Sequence, residues 1–216
     1  MTRANIVAIG LLLLCVSPAA AQQTALTEGQ LKAAEIEVPK LVELMVLKPG
    51  MSVADVGAGF GAWTIRLSKW IGPSGRVYAT DVGAAQLAAL RETVKREGLT
   101  NVTVLEAGAD ATNLPAQCCD AILIRDAYHH LTQPEAIVRS MAASLKPGGR
   151  LVVIDFPPRT ASEVPSGVPA NRGGHGVPPE VVEREGGALL THVRTIREWA
   201  PDSQPASLFL VLFRKP

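Results

Sequence analysis

Val53-Ala54-Asp55-Val56-Gly57-Ala58-Gly59-Phe60-Gly61-Ala62-Trp63-Thr64-Ile65 is the stretch whose reading decides the fold. A short apolar run ends at Asp55, glycines follow at every second position, and a helical pattern continues through Trp63, Ile65, Arg66 and Leu67 to Trp70. This is strand, tight turn, helix, the arrangement that brings backbone N–H groups and a helix N-terminus against a ligand. Glycine is required in such a turn because a Cβ blocks both positive φ and close approach of a ligand to the backbone. By itself the stretch has two readings, since Gly57-x-Gly59-x-x-Ala62 also satisfies the dinucleotide fingerprint.

Working outward, the chain alternates strand and helix patterns. Glu28 to Leu47 is amphipathic, and Pro39 within it predicts a break into two helical pieces. Strands are expected at Ser52–Val56, Arg76–Thr80, Val102–Glu106, Cys119–Ile124 and Leu151–Asp155, with helices after the glycine turn and at Gln86–Glu97 and Pro134–Leu145. Lys146-Pro147-Gly148-Gly149 reads as a turn. The near-continuous apolar character of Cys119–Ile124 fits a central parallel strand covered on both faces. This rhythm predicts an α/β fold with a doubly wound parallel sheet and helices on both faces. Thr191–Trp199 and Ser207–Arg214, joined through Pro201-Asp202-Ser203, read as a hairpin at the sheet edge, and Pro179–Gly186 as a short helix. Residues 157–179 break the rhythm with six prolines and four glycines, the composition of a functional lid or a disordered segment.

With 216 residues, 47% of them hydrophobic, the chain can bury a sizeable core in one domain. Its first residues read as an export signal: Arg3 is positive, Ile6 to Val16 is an apolar run of eleven, and Ala19-Ala20-Ala21 is a small-residue cleavage site. Eleven residues are too few to cross a bilayer. Leu14 before Cys15 disfavours a lipid-anchored variant, where small residues are usual. The expectation is cleavage after Ala21, a periplasmic or secreted product and no stable membrane insertion, with residues 22–216 as the functional domain and 22–50 as its helical cap. Losing residues 1–21 removes only Arg3 among the charges and leaves 20 basic against 20 acidic residues. That balance carries no electrostatic footprint for nucleic acid or an anionic membrane. Cys118 and Cys119 read as half-buried thiols at a strand start, with a vicinal disulfide as the alternative in an oxidising compartment.

Asp55, two residues before the first glycine, separates the candidate ligands. A pyrophosphate there sits beside a negative charge, whereas a ligand bearing an ammonium and a sulfonium is attracted to it. Asp81, twenty residues after Gly61 at the end of the second strand, suits hydrogen bonding to two ribose hydroxyls, or else caps the following turn. Beyond the fourth strand stand Asp126, Tyr128, His129 and His130. An unperturbed imidazole titrates close to neutrality, so His129 or His130 is the candidate general base; the alternative is that they cap the next helix or close over a cofactor. No third metal ligand lies at suitable local spacing, so no metal is expected unless the fold brings His175 or Asp155 close. His175 itself, in Gly173-Gly174-His175-Gly176, reads as a mobile loop residue facing the acceptor.

Together these pieces resemble the class I, Rossmann-like S-adenosylmethionine-dependent methyltransferases of the "methyltransferase type 11" kind. The matching motifs are Asp55-x-Gly57-x-Gly59-x-Gly61, Asp81, Asp110-Ala111-Thr112-Asn113-Leu114-Pro115, Asp120-Ala121-Ile122-Leu123-Ile124 running into Tyr128-His129-His130, and Leu145-Lys146-Pro147-Gly148-Gly149-Arg150-Leu151. The resemblance implies a seven-stranded, mostly parallel sheet with an antiparallel last strand. It implies that Asp55 with Gly57, Ala58, Gly59 and Gly61 holds the methionine end of S-adenosyl-L-methionine, Asp81 with Val82 the ribose side, and Asp110 with Ala111 the adenine. Asp110 has a competing reading as an Asx-turn residue. The implied activity is methyl transfer to a small-molecule acceptor whose identity the sequence leaves open. An exported, non-catalytic protein with the cofactor fold is the alternative, because the donor is made in the cytosol. An NAD-dependent oxidoreductase rests on the glycine pattern alone and is disfavoured by Asp55.

Overall fold

The computed structural model describes residues 25–159, 164–199 and 208–216. The export signal and Pro201-Asp202-Ser203 lie outside them. Strands β1 (Ser52–Val56), β2 (Arg76–Asp81), β3 (Val102–Glu106), β4 (Cys119–Arg125), β5 (Leu145–Asp155), β6 (Thr191–Trp199) and β7 (Leu208–Arg214) form one sheet in the order β3-β2-β1-β4-β5-β7-β6. β1 to β5 pair in parallel, while β7 runs antiparallel to both β5 and β6. The mostly parallel, doubly wound sheet with its antiparallel last strand is therefore present as expected.

Both faces of the central strands are buried, and the alternation of side chains shows how. Ile122, Ile124, Leu151 and Val153 join one core with Val181 and Val182 of α5 (Pro179–Gly187) and Ile137 and Met141 of α4 (Pro134–Ser144). Ala121, Leu123, Val152 and Ile154 join the other with Val38, Leu41 and Val42 of α1 (Glu28–Leu44) and Leu67 and Ile71 of α2 (Ala62–Ile71). α3 (Ala84–Arg96) packs on β2 and β3. A strand buried on both sides needs no polar alternation, which is why β4 and β5 read as continuous apolar runs.

Three local expectations are corrected. Pro39 does not break α1. The carbonyl that its missing N–H leaves without a helical partner belongs to Glu35, an exposed residue, and a Thr27–Gln30 capping box secures the helix start. Lys146-Pro147-Gly148-Gly149 is absorbed into β5 as an irregularity: the pairing with β4 shifts between Cys119 and Ala121, and Gly148 takes φ 77°. Cys118 and Cys119 are joined as a vicinal disulfide at the start of β4.

The first helix is clamped over the strand ends by one buried carboxylate. Glu37, 1% exposed, accepts hydrogen bonds from Trp63 Nε1 (2.6 Å), Arg125 Nε (2.7 Å) and Trp199 Nε1 (2.7 Å). Arg125 also stacks over Trp63 at 3.9 Å. One side chain thus joins α1, α2, β4 and β6. Removing it leaves a mostly buried guanidinium and two indole N–H groups without acceptors. Glu37→Ala is expected to destabilise the fold by about 3 kcal/mol and Glu37→Gln by less, measured by urea denaturation. A loss within 0.5 kcal/mol for Glu37→Ala would show that the clamp is not structural.

Candidate active site at the strand ends

The order of the sheet reverses between β1 and β4, the place where a crevice opens beyond the carboxyl ends of parallel strands. The glycine loop after β1 lines one side. A Cβ on Gly57 (φ 70°) would lie 2.6 Å from Ala127 Cβ, so only glycine lets this loop lie against the turn after β4. At Gly59 (φ 54°) a Cβ would meet nothing within 4 Å, which leaves the loop's outer face open. Gly59 N donates to Asp81 Oδ2 (2.9 Å), and Val82 N and Gly83 N donate to Asp81 Oδ1 (2.8 and 3.2 Å). These bonds fix the half-buried carboxylate beside the open face and leave it further acceptor capacity. Val82 beside it presents an apolar side chain that is 64% exposed.

Asp55 differs from the freely charged anion expected of it. Its side chain is 3% exposed and accepts from Thr64 Oγ1 at 2.6 Å. Burial pushes its carboxyl up to about 6; Asp81's charge adds to the rise, while Thr64 and Arg125 oppose it. A cation arriving beside Asp55 therefore meets a group that is readily tipped into its ionised form. Asp110 is exposed, and among the described residues its carboxylate accepts no hydrogen bond. The local turn closes instead through Gly108 N to Ala111 O (2.7 Å), so no Asx turn occupies the Asp110 side chain.

On the β4 side, Tyr128, His129 and His130 form a single 3-10 turn. Tyr128 is buried and donates its hydroxyl to Glu185 Oε2 (2.8 Å). Burial and the adjacent Glu185 charge hold that phenol far above its usual range, which removes Tyr128 as a base. Glu185 in turn pairs with the fully buried Arg172 (3.1 Å).

His129 is 2% exposed, and its Nδ1 lies 2.8 Å from Asp155 Oδ1. Asp155 also accepts from His129 N (3.0 Å) and Phe156 N (2.9 Å). With a carboxylate as acceptor, Nδ1 carries the ring proton and Nε2 keeps its lone pair. Neither histidine caps α4, whose N-cap, Gln133, makes no side-chain capping bond. Burial lowers His130 to about 4, with His129 and His175 acting in the same sense, so His130 is a weaker base than the sequence suggests.

His175 sits in a backbone bridge. Its carbonyl accepts from Arg159 N (2.8 Å) in an antiparallel bridge, and two residues on Val177 N donates to Phe156 O (3.0 Å). Gly174 and Gly176 allow this close approach, since a Cβ on either would lie within 2.9 Å of a backbone oxygen. The bridge sets the His175 ring 5.0 Å from His129 and 5.8 Å from His130, centroid to centroid. The fold thus brings both His175 and Asp155 to His129. Glu37, Arg172 and Glu185 were not singled out in the sequence. The one signal available was an acidic residue beside Val38 and Leu41 on the apolar stripe of α1.

Because Asp55 holds its proton more tightly folded than unfolded, its contribution to stability is greatest below the ordinary value of 3.8 and is lost as pH rises to about 6. Asp55→Asn is expected to abolish that decline. The stability difference between variant and wild type should shift by on the order of 3 kcal/mol between pH 3.5 and 6.5, read from paired denaturation curves. Parallel pH profiles would overturn the assignment.

Residues 53–149 match a family model described as a methyltransferase domain. The ubiquinone/menaquinone biosynthesis C-methyltransferase UbiE of Pasteurella multocida is 34% identical over 111 residues, 51% of this chain and 41% of that protein. The chain thus spans less than half the length of the curated relatives it matches. A crystal structure of a SAM-dependent methyltransferase from Aquifex aeolicus superposes with a TM-score of 0.68 at 26% identity, covering 88% of this chain and 94% of that one. The fold is shared at 14% identity with Haemonchus contortus phosphoethanolamine N-methyltransferase 2 in complex with S-adenosyl-L-methionine, with a TM-score of 0.66 over 84% of this chain and 52% of that one. Sheet order, motif order and these likenesses together support a class I, Rossmann-like methyltransferase domain, a family whose cofactor is S-adenosyl-L-methionine.

Proposed function

We propose that this chain transfers a methyl group from S-adenosyl-L-methionine to a small-molecule acceptor. The observation that carries the reading is the open face at Gly59, set beside Asp81 and close to Asp55, with His129 on the neighbouring strand end. Bound there, the cofactor supplies a methyl carbon already activated by a positively charged sulfur. Gly57, Ala58, Gly59 and Gly61 offer backbone to its methionine end, Asp55 complements its positive charge, and Asp81 with Val82 meets the ribose. Asp110 and Ala111 are assigned to the adenine.

What remains for the protein is to hold donor and acceptor in line and keep water out. Where the acceptor must lose a proton, His129 Nε2 accepts it, while Asp155 fixes the tautomer through Nδ1 and stabilises the imidazolium. The acceptor side draws on Asp155 and His175, which lie beyond residues 53–149, so the acceptors of the quinone-pathway relatives are not carried over.

The pattern of Arg3, Ile6–Val16 and Ala19-Ala20-Ala21 supports a second reading, in which the chain is exported to the periplasm or secreted and keeps the cofactor fold without turnover. No helix among the described residues is long and apolar enough to cross a membrane. Fractionation of the native host separates the readings: a cleaved periplasmic product that binds no donor favours the second, and an uncleaved cytosolic one favours the enzyme.

Calorimetry with S-adenosyl-L-methionine and S-adenosylhomocysteine tests donor binding directly. Affinity for S-adenosyl-L-methionine is expected to fall as pH drops below about 6, by up to roughly tenfold per pH unit, because only ionised Asp55 complements the cation. Asp81 and Arg125 also face Asp55 and set where this loss begins. Asp81→Ala should weaken binding about a hundredfold. Gly59→Ala, whose Cβ enters open space at an added backbone cost of about 1 kcal/mol, should lose binding while keeping the fold. A Gly59→Ala protein that binds the donor normally would remove the proposed site.

A further inference from the structure

We propose that His129, His130 and His175 form a binding site for a divalent transition-metal ion, of the type that takes three imidazoles and leaves one position open. One ligand nitrogen from each ring lies within 4.8 Å of the other two. A tetrahedral zinc ion, with bonds of about 2.0–2.1 Å, sets its ligand nitrogens about 3.4 Å apart, so modest side-chain rotation closes the set around an ion.

Three further observations point to a ligand and distinguish the group from packed aromatic rings. Nε2 of His175 is buried and among the described residues has no hydrogen-bond partner, a costly state that a coordinate bond would relieve. The Nδ1 of His129 is held by Asp155, which is 0% exposed, leaving Nε2 as the free donor atom. A carboxylate on the far nitrogen of a liganding histidine is the usual way a metal site fixes ring orientation and raises ligand basicity. Third, each ring is positioned by backbone structure: the 3-10 turn after β4 carries two of them, and the Arg159–His175 bridge carries the third.

Neutral imidazole is a borderline ligand that selects zinc, cobalt, nickel or copper over magnesium or calcium. Asp126 and Asp155 flank His129 and supply negative charge, against the guanidinium groups of Arg125, which acts on Asp126, and Arg159, stacked over Phe156. The fourth position suits water or an anionic oxygen of the acceptor. Such coordination would occupy His129 Nε2, so in the metal-bound form the ion, rather than His129 as a base, would favour loss of the acceptor's proton.

The test uses the untagged full chain, stripped with a chelator and titrated with Co²⁺ alone, no methyl donor being present. One equivalent per chain is expected to give the intense visible absorption of a tetrahedral cobalt site, and Zn²⁺ should displace it. His175→Ala should lose the signal, while His192→Ala, a surface histidine, should retain it. Asp155→Asn should weaken binding 10- to 100-fold with the spectrum kept. Thermal melts of the same variants check that each is folded; if His175→Ala fails to fold, His175→Gln takes its place. Weak absorption of an octahedral ion, less than one equivalent bound, or binding unchanged in the folded His175 variant would overturn the site. Because the donor is absent, failure here leaves methyl transfer standing, and failure of donor binding leaves the metal site standing.

Discussion

The working face of this molecule depends on the contact between Gly57 and Ala127. Strands β1 and β4 are neighbours at the point where the sheet order reverses, and their following loops must share the same small volume. A side chain at Gly57 would collide with Ala127 at 2.6 Å and push the loops apart. With glycine there, the donor loop and the turn bearing His129 sit against each other. The proposed in-line transfer, with the donor at one strand end and the acceptor at the next, would depend on this closeness, because misplacement by an ångström costs orders of magnitude in rate.

The protein buries Glu37, Asp55, Asp155 and Arg172 and pairs most of them. Glu37 is shared by Arg125 and two tryptophan N–H groups, Glu185 by Tyr128 and Arg172, and Asp155 by His129 and two backbone N–H groups. Buried ions contribute little net stability, but each is costly to orphan, and this makes their geometry hard to change. The effect is to fix elements that the chain leaves far apart. α1 is held over the strand ends, and the proline-rich segment is tied to α5 through Arg172. His129 is held with Nε2 free. Asp55 is the contrasting case, buried with a single strong donor in Thr64, and is therefore poised to change charge when a cation approaches.

Family likeness covers these two halves unequally. The match over residues 53–149 contains the glycine loop, Asp81, Asp110 and the His129–His130 pair, and ends before Asp155, Arg172 and His175. The donor half is thus drawn from a widely shared pattern. The proposed acceptor half draws on residues from β5 and the strap after it, where folds of this kind diverge in substrate and chemistry.

The sequence by itself determined the strand–helix alternation, the sheet class and the donor loop, because these follow from local rules: apolar runs, glycine at positive φ, and acidic residues at strand ends. β1, β3 and β6 have the very boundaries their patterns imply. Where local rules competed with packing, packing prevailed: α1 runs through Pro39 with Val38, Leu41 and Val42 buried in the core, and the Lys146–Gly149 turn is drawn into β5 by pairing with β4. The ionisation of Asp55 and His130, the commitment of Tyr128 to Glu185, and the meeting of His129 with Asp155 and His175 were decided only by the tertiary structure. Desolvation and through-space contact set these properties; the His129–Asp155 and Tyr128–Glu185 contacts, for example, join residues 26 and 57 positions apart, whose approach no local pattern encodes.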